Sequence, residues 1–231
     1  MKYSLIIPCY NESKNIPFLA KRLENILNDK SFQIVIVDNG STDNSSFLLK
    51  KLNKEYSSIT LVKIEKNLGY GYGILRGIKE AKGEYIAWTH ADLQTDPNDI
   101  YKGIEFLTRS SNKHFIKGIR YGRPISDRLF TIGMSFFASV VLGRFFWDIN
   151  AQPSIFHSSF VKSWKNPPND FSLDLYVYYL ALKNNYDVKR FPVRFSNRIY
   201  GISSWNINWK SKLKFIKRTI IYTFKLKKRI N

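Results

Sequence analysis

The chain has a single cysteine, Cys9, among 231 residues. One thiol excludes an internal disulfide, and its expected place at the end of the first strand makes it a buried thiol of a reducing compartment. Long hydrophobic runs are also scarce. The apolar part of MKYSLIIPCYNES is too short for a secretory signal, and no small-residue cleavage site follows it. No window reaches the roughly 18–20 apolar residues of a spanning helix. The nearest, Leu129–Gly143, has 15 residues without a charge and is expected to be a core or interfacial helix. These absences predict a cytoplasmic protein, or one bound peripherally to the cytosolic face of a membrane.

Acidic residues are missing from the C-terminal end: no Asp or Glu follows Asp187, while residues 207–231 carry nine Lys and Arg. The net charge of +19 calls for an anionic partner, which can be nucleic acid, a membrane or a phosphorylated substrate. With 44% hydrophobic and 16% aromatic residues the chain is neither disordered nor fibrous. The G-x-G-x-x-G dinucleotide fingerprint is absent from the first strand-to-helix turn, which reads PCYNES. GYGYG at 69–73 lacks the Lys-Ser/Thr of a P-loop. Repeats, low-complexity segments and Pro/Gly linkers are not seen either, so one domain with a C-terminal appendage is the economical division.

What is present in the first half is regular alternation. YSLIIP (3–8), QIVIV, ITLVKIE and EYIAWT read as four strands. Between them lie helices whose expected caps are Asn15, then Ser41 or Thr42, with a stop at Gly83. Asp96-Pro97 looks like an N-cap followed by a first-turn proline. This spacing predicts a parallel sheet with helices on both faces, whose ligands gather at the carboxyl ends of the strands. Four polar clusters fall there: Pro8–Glu12, Asp38–Ser41, Asn67–Gly73 and His90–Gln94. The second half is expected to hold an apolar helix near 128–143, a short strand at Ser154–His157, a helix over Phe171–Leu182 and the strand DVKRFPVRF.

In order and spacing, SLIIPCYNESKNI, IVIVDNGSTDNS, NLGYGYGILRGIKEAKGEYIAWTHADLQTDP and RIYGISSW resemble glycosyltransferase family 2, nearest its dolichyl- or polyprenyl-phosphate sugar synthase branch. The resemblance covers about residues 3–205. It implies the GT-A fold, a Rossmann-like α/β sandwich with a mostly parallel central sheet, and inverting transfer from a nucleotide-sugar with Mg²⁺ or Mn²⁺. Carried over by position, Pro8, Tyr10 and Glu12 would line the nucleoside pocket. Asp38 would bond the base, and Gly69 would let the backbone approach the nucleotide. Glu12 as a first-turn acid facing the helix dipole, and Asp38 as an Asx turn, are the plainer alternatives.

Family members commonly read Asp-X-Asp-X-Gln where this chain has His90, Asp92 and Gln94. Mg²⁺ takes one or two protein carboxylates and leaves substrate phosphates and water to complete its shell, so Asp92 and Gln94 can supply such a set. His90 would then touch the nucleotide or stand behind the ligands, and its imidazole puts the metal preference in doubt. Asp96 is read as a helix cap. On the acceptor side Arg120, Arg123 and Arg128 follow the expected fifth strand, and Arg120 and Arg128 match arginines that bind phosphate in the resembled branch. Asp174 lies where many members carry a possible base, with a helix-surface carboxylate as the alternative. Asn150 and Gln152 would floor the acceptor loop, and Arg198 and Ser203 resemble a loop that closes over the donor.

The tail places Trp209, Leu213, Ile216, Ile220 and Phe224 on one helical stripe flanked by basic residues, which suits an anionic membrane surface. Packing of that stripe on the catalytic domain is the competing expectation. The division predicted is therefore a catalytic domain over 1–205 and a basic amphipathic helix over 206–231. The expected activity is sugar transfer from a nucleoside-diphosphate sugar to a polyprenyl phosphate. A hydroxyl of a lipid-linked or surface saccharide is the alternative acceptor. A nucleic-acid-binding protein accounts for charge and aromatics but not for four polar strand ends, and no nucleic-acid partner is expected.

Overall fold

Alternate residues of the first two strands face opposite ways, and each set finds its own core. A computed structural model of the chain describes residues 1–107, 112–201 and 209–229. Leu5 and Ile7 of β1 (Tyr3–Cys9) join Ile34 and Ile36 of β2 (Phe32–Asn39) in one core, with Leu19, Leu23 and Ile26 of α1 (Ile16–Asn28) and Leu49 and Leu52 of α2 (Ser45–Glu55). Ile6, Val35 and Val37 face the other core, under Ile74 of α3 (Tyr70–Glu80). Strands buried on both faces read as continuous apolar runs for this reason. Trp88 and Phe115 anchor the second core from β4 (Tyr85–Trp88) and β5 (His114–Tyr121).

With β3 (Ile59–Ile64), β6 (Ser154–His157) and β7 (Asp187–Arg194) the sheet has seven strands in the order β3-β2-β1-β4-β6-β5-β7. It is parallel except at β6, which runs antiparallel to both β4 and β5. The expected α/β sheet with helices on both faces is what forms. The remaining helices are α4 (Asp99–Ile104), α5 (Ile125–Leu142), α6 (Ser172–Lys183) and α7 (Trp209–Lys228), with a 3₁₀ turn at Ser158–Ser163.

Several local expectations are corrected. Asn15 sits at the start of α1 without capping it, because its amide donates to Glu12 Oε2 at 2.5 Å. Neither Ser41 nor Thr42 caps α2, which begins at Ser45; Asp43 Oδ1 accepts from Ser45 N at 2.9 Å instead. The glycine stretch at 70–73 is the first turn of α3 rather than a loop. That helix ends at Glu80, and Gly83 serves close packing: a Cβ there would lie 2.5 Å from Ser4 N. Asp96 closes an Asx turn onto Asn98 N (2.9 Å), and α4 starts only at Asp99.

The larger corrections concern the two helices outside the sheet. α5 begins four residues before Leu129 and is long and apolar enough, by length and composition, to cross a membrane. It is not a core helix: only Ser135 and Ala138 are buried, while Ile125, Leu129, Phe136 and Val140 are 63–75% exposed. α7 packs on α5 and α6 with a face that only partly overlaps the expected stripe: Ile216 and Ile220 are half-buried and Phe224 meets Phe137 of α5 at 5.9 Å. Tyr222, Thr223 and Leu226 are buried, whereas Leu213 and Phe224 are exposed. The side chain of Trp209 lies outside the described residues.

Candidate functional site

The sheet order sets the carboxyl ends of β1, β2 and β4 near one another, so the loops that follow them share one edge. Asn11, in the left-handed region at φ 55°, joins the first two loops. Its N–H donates to Ser41 Oγ at 3.1 Å, and its Oδ1 accepts from Thr42 N at 2.8 Å. Tyr10 is left exposed on this edge and Glu12 half-buried, while Pro8 packs toward Gly73. Burial pushes the Glu12 carboxyl above its ordinary range, against the opposing hydrogen bond from Asn15 and the charge of Arg198. Asp38 is buried with both oxygens engaged, Oδ1 by Ser41 N at 3.0 Å and Oδ2 by the Ser46 hydroxyl. The geometry is the Asx-type turn, without a free carboxylate edge for a base. Gly69 has φ 110°, and what its missing Cβ admits is the protein's own Asn169 carbonyl, not open space toward a ligand.

The loop after β4 brings the expected metal ligands together. Asp92 Oδ1 accepts from Gln94 N at 3.1 Å, and Leu93 between them is buried at φ 60°. This tight turn lets side chains two residues apart converge. Both reach the same guanidinium: Arg198 Nη2 donates to Asp92 Oδ2 at 2.6 Å, and Nε donates to Gln94 Oε1 at 3.1 Å. Arg198 Nη1 lies 3.8 Å from Glu12 Oε1. Backbone bonds hold the two segments edge to edge, Ser196 N donating to Gln94 O at 2.7 Å. His90 packs its ring against Tyr70 at 5.3 Å, and burial lowers its imidazole pKa, against the pull of Asp92 and Asp174. Ser203 lies outside the described residues.

Next to this loop stands an arginine wall. Arg120 belongs to β5 itself, and Arg123 follows it; both guanidinium groups lie over the Phe195 ring, at 5.2 and 5.4 Å. Asp148 ties them down. It accepts Arg120 N at 2.9 Å and Arg120 Nε at 3.0 Å, pairs closely with Nη2, and lies 3.7 Å from Arg123 Nη1. Burial alone would raise the Asp148 pKa, but the Arg120 charge and its hydrogen bonds outweigh that and hold the carboxyl below its ordinary range. Arg128 is exposed on α5 and lines a neighbouring cavity with Ile132 and Trp147, apart from the loop after β4. Sequence reasoning missed Asp148. Its signal was scarcity, since it is the one acid between Asp127 and Asp170.

Asp174 is neither a helix-surface group nor free to act as a base. It is buried, accepting Trp88 Nε1 at 3.3 Å and Gln152 Nε2 at 3.0 Å on Oδ1 and Asn150 Nδ2 at 3.1 Å on Oδ2. Lys117 Nζ, fully buried, lies 4.0 Å away and donates to Ala151 O and Ser154 Oγ at 2.6 and 2.9 Å. Burial lowers the Lys117 pKa to about 8 despite Asp174. Gln152 is committed here as well, donating also to Tyr70 Oη at 2.9 Å, so of the two expected acceptor-loop residues only Asn150 reaches the cleft.

One cleft joins these parts. His90, Asp92, Gln94 and Arg198 form its polar end, Arg120 and Arg123 its flank, and Phe130, Met134, Leu175 and Phe215 its apolar wall between α5, α6 and α7. The mixed α/β sheet, with its polar loops at the strand carboxyl ends, has the GT-A fold, as its likeness to a solved sugar-transferring enzyme shows. The family model described as glycosyl transferase family 2 matches residues 4–162, and the chain belongs to that family. It is 34% identical to the dolichol-phosphate mannosyltransferase of Pyrococcus furiosus over 122 residues, 51% of this chain and 34% of that protein. It is also 34% identical over 105 residues to an undecaprenyl-phosphate 4-deoxy-4-formamido-L-arabinose transferase of Pseudomonas aeruginosa, covering 44% of this chain and 31% of that one. These matches span about a third of each relative's length. The fold resembles glucosyl-3-phosphoglycerate synthase of Mycobacterium tuberculosis, solved with Mn²⁺, UDP and phosphoglyceric acid. That likeness has TM-score 0.75 at 12% identity and covers 98% of this chain and 78% of that one.

Proposed function

We propose that the chain transfers a sugar, with inversion, from a nucleoside-diphosphate sugar to a polyprenyl phosphate at the cytosolic face of a membrane. The observation that carries this reading is the cleft, in which two arginines stand between a polar end and an apolar wall. A lipid phosphate needs both features side by side: charge-assisted bonds for its head and desolvated surface for its chain. The two relatives named for dolichol phosphate and undecaprenyl phosphate support the same acceptor class.

The residues fit a divalent cation, because a carboxylate and an amide oxygen already converge on one positive group. Asp92 and Gln94 would hold Mg²⁺ or Mn²⁺, with diphosphate oxygens completing the shell. When bound, the ion supplies charge stabilisation for the departing nucleotide. Tyr10 and Glu12 would line the nucleoside pocket, and Arg120 and Arg123 would hold the acceptor phosphate facing the donor. Residues 1–205 would form the catalytic unit, and α5 with α7 the surface that meets the bilayer.

Acceptor class turns on protonation. A phosphate nucleophile is ionised before it binds, whereas a hydroxyl needs a base, worth typically ~10²–10⁴ in rate. Among the described residues lining the cleft the one acid is Asp92, paired with Arg198, so a hydroxyl acceptor would have to use His90. Single-turnover transfer to undecaprenyl phosphate tests this. His90→Gln is expected to lose less than about tenfold, Arg120→Ala to weaken acceptor binding, and Asp92→Ala to nearly abolish transfer. A parent protein that glycosylates a saccharide hydroxyl and makes no lipid-phosphate product would overturn the reading.

A further inference from the structure

We propose that Arg198 is a built-in stand-in for the divalent cation, and that a metal ion enters the site only by exchange with its guanidinium. The proposal rests on the metal reading of Asp92 and Gln94 above. Both oxygens of Asp92 are engaged, Oδ1 by Gln94 N at 3.1 Å and Oδ2 by Arg198 Nη2 at 2.6 Å. The Gln94 oxygen accepts from Arg198 Nε at 3.1 Å, so one planar fork spans the two donors expected to hold a metal. A divalent ion on the same oxygens would stand beside the positive charge of the guanidinium already bonded to them. Like charges at such separation in a partly desolvated cleft repel strongly. The two cations are therefore alternatives.

The arrangement also says where the guanidinium goes. Glu12 Oε1 is 3.8 Å from Nη1, a second acid poised to receive the group once Asp92 is taken. The backbone bond from Ser196 N to Gln94 O (2.7 Å) keeps the Arg198 segment beside the loop while the side chain moves. The departure from the Asp-X-Asp-X-Gln pattern explains why a stand-in is tolerated. With His90 in place of the first acid, one carboxylate is left at this turn, and a single arginine neutralises it.

The test is Mn²⁺ binding to the full chain without nucleotide, followed through the electron paramagnetic resonance signal of free Mn²⁺. Arg198→Ala is expected to bind Mn²⁺ at least about tenfold more tightly than the parent, the scale of losing competing charge-assisted hydrogen bonds. Arg198→Lys keeps a competing charge and should stay near the parent. Adding Asp92→Asn to Arg198→Ala should remove the gain, which ties it to this pair of donors. Equal or weaker Mn²⁺ binding by a folded Arg198→Ala protein, including no binding by either protein, overturns the exchange. A chain that shows the affinity gain and transfers no sugar to lipid phosphate would keep the exchange and remove only the acceptor assignment.

Discussion

Two buried acids, Asp174 and Asp148, set the local physics around the cleft, and each has a measurable signature. Asp174 is held by Trp88, Asn150 and Gln152, with Lys117 4.0 Å away and no exposure of its own. Replacing one partner of a buried ion pair leaves the other charged and uncompensated, at a cost of about 3–5 kcal/mol. Asp174→Asn should therefore lower the urea unfolding free energy by that order, which a hydroxyl-base role would not require; an unchanged midpoint would refute the structural role. Asp148 has its pKa held below the carboxyl value of 3.8, burial opposing and Arg120 prevailing. The unfolded chain thus binds protons first as pH falls. The stability from Asp148 is present above about pH 4 and is lost as the pH drops through the depressed value. Asp148→Asn should be less stable at pH 7 and show a shallower loss of stability between neutral and acid pH, read from unfolding curves along the series.

Helices α5 and α7 show how an element's role depends on which face finds a partner. Ile125, Leu129, Phe136 and Val140 recur down one outward side of α5 and are left uncovered. Ser135 and Ala138 face inward. If the proposed membrane reading holds, this outward apolar side is the part of α5 that would meet the bilayer interface. Phe136→Asp with Val140→Asp should weaken binding to anionic liposomes in a flotation assay while leaving the thermal midpoint within a few degrees. Undiminished binding would remove α5 from the membrane surface. Deleting 209–231 is a different experiment, because Tyr222 and Leu226 belong to the larger core and Phe215 stacks toward Phe130 and Phe171. That truncation should lower the thermal midpoint as well as liposome affinity. A midpoint equal to the parent's would return α7 to the status of an appendage.

Across the whole molecule, the charge of +19 is uneven, with a basic helix beside an exposed apolar one. Each basic residue near an anionic surface contributes ~1 kcal/mol, and screening shortens from about 10 Å at 0.1 M salt to about 3 Å at 1 M. Liposome binding of the parent should accordingly fall steeply with salt yet keep a residual part from α5. Binding abolished outright by 1 M salt would mean that the apolar stripe does not insert. The four polar strand ends were legible because strand, turn and helix spacing is local. The parallel register then sets the loops after β1, β2 and β4 along one edge without further information. Where reading failed, a distant partner had taken over a local signal. Asn15 left its cap for Glu12, Gly69 and the first turn of α3 were crowded by residues 168–170, and Asp174 was drawn into a buried pair.

The sequence by itself determined the alternating sheet, the family, the polar edge and the pairing of Asp92 with Gln94, since all of these rest on order and short-range spacing. The tertiary structure alone decided what the charged side chains do. Arg198 lies 104 positions from Gln94 and 106 from Asp92, yet one guanidinium closes on both. Asp148 reaches back 28 positions to fix Arg120, and Asp174 reaches 86 to the indole of Trp88. Charges find their partners through space after the backbone has folded, and periodicity along the chain carries no record of that choice.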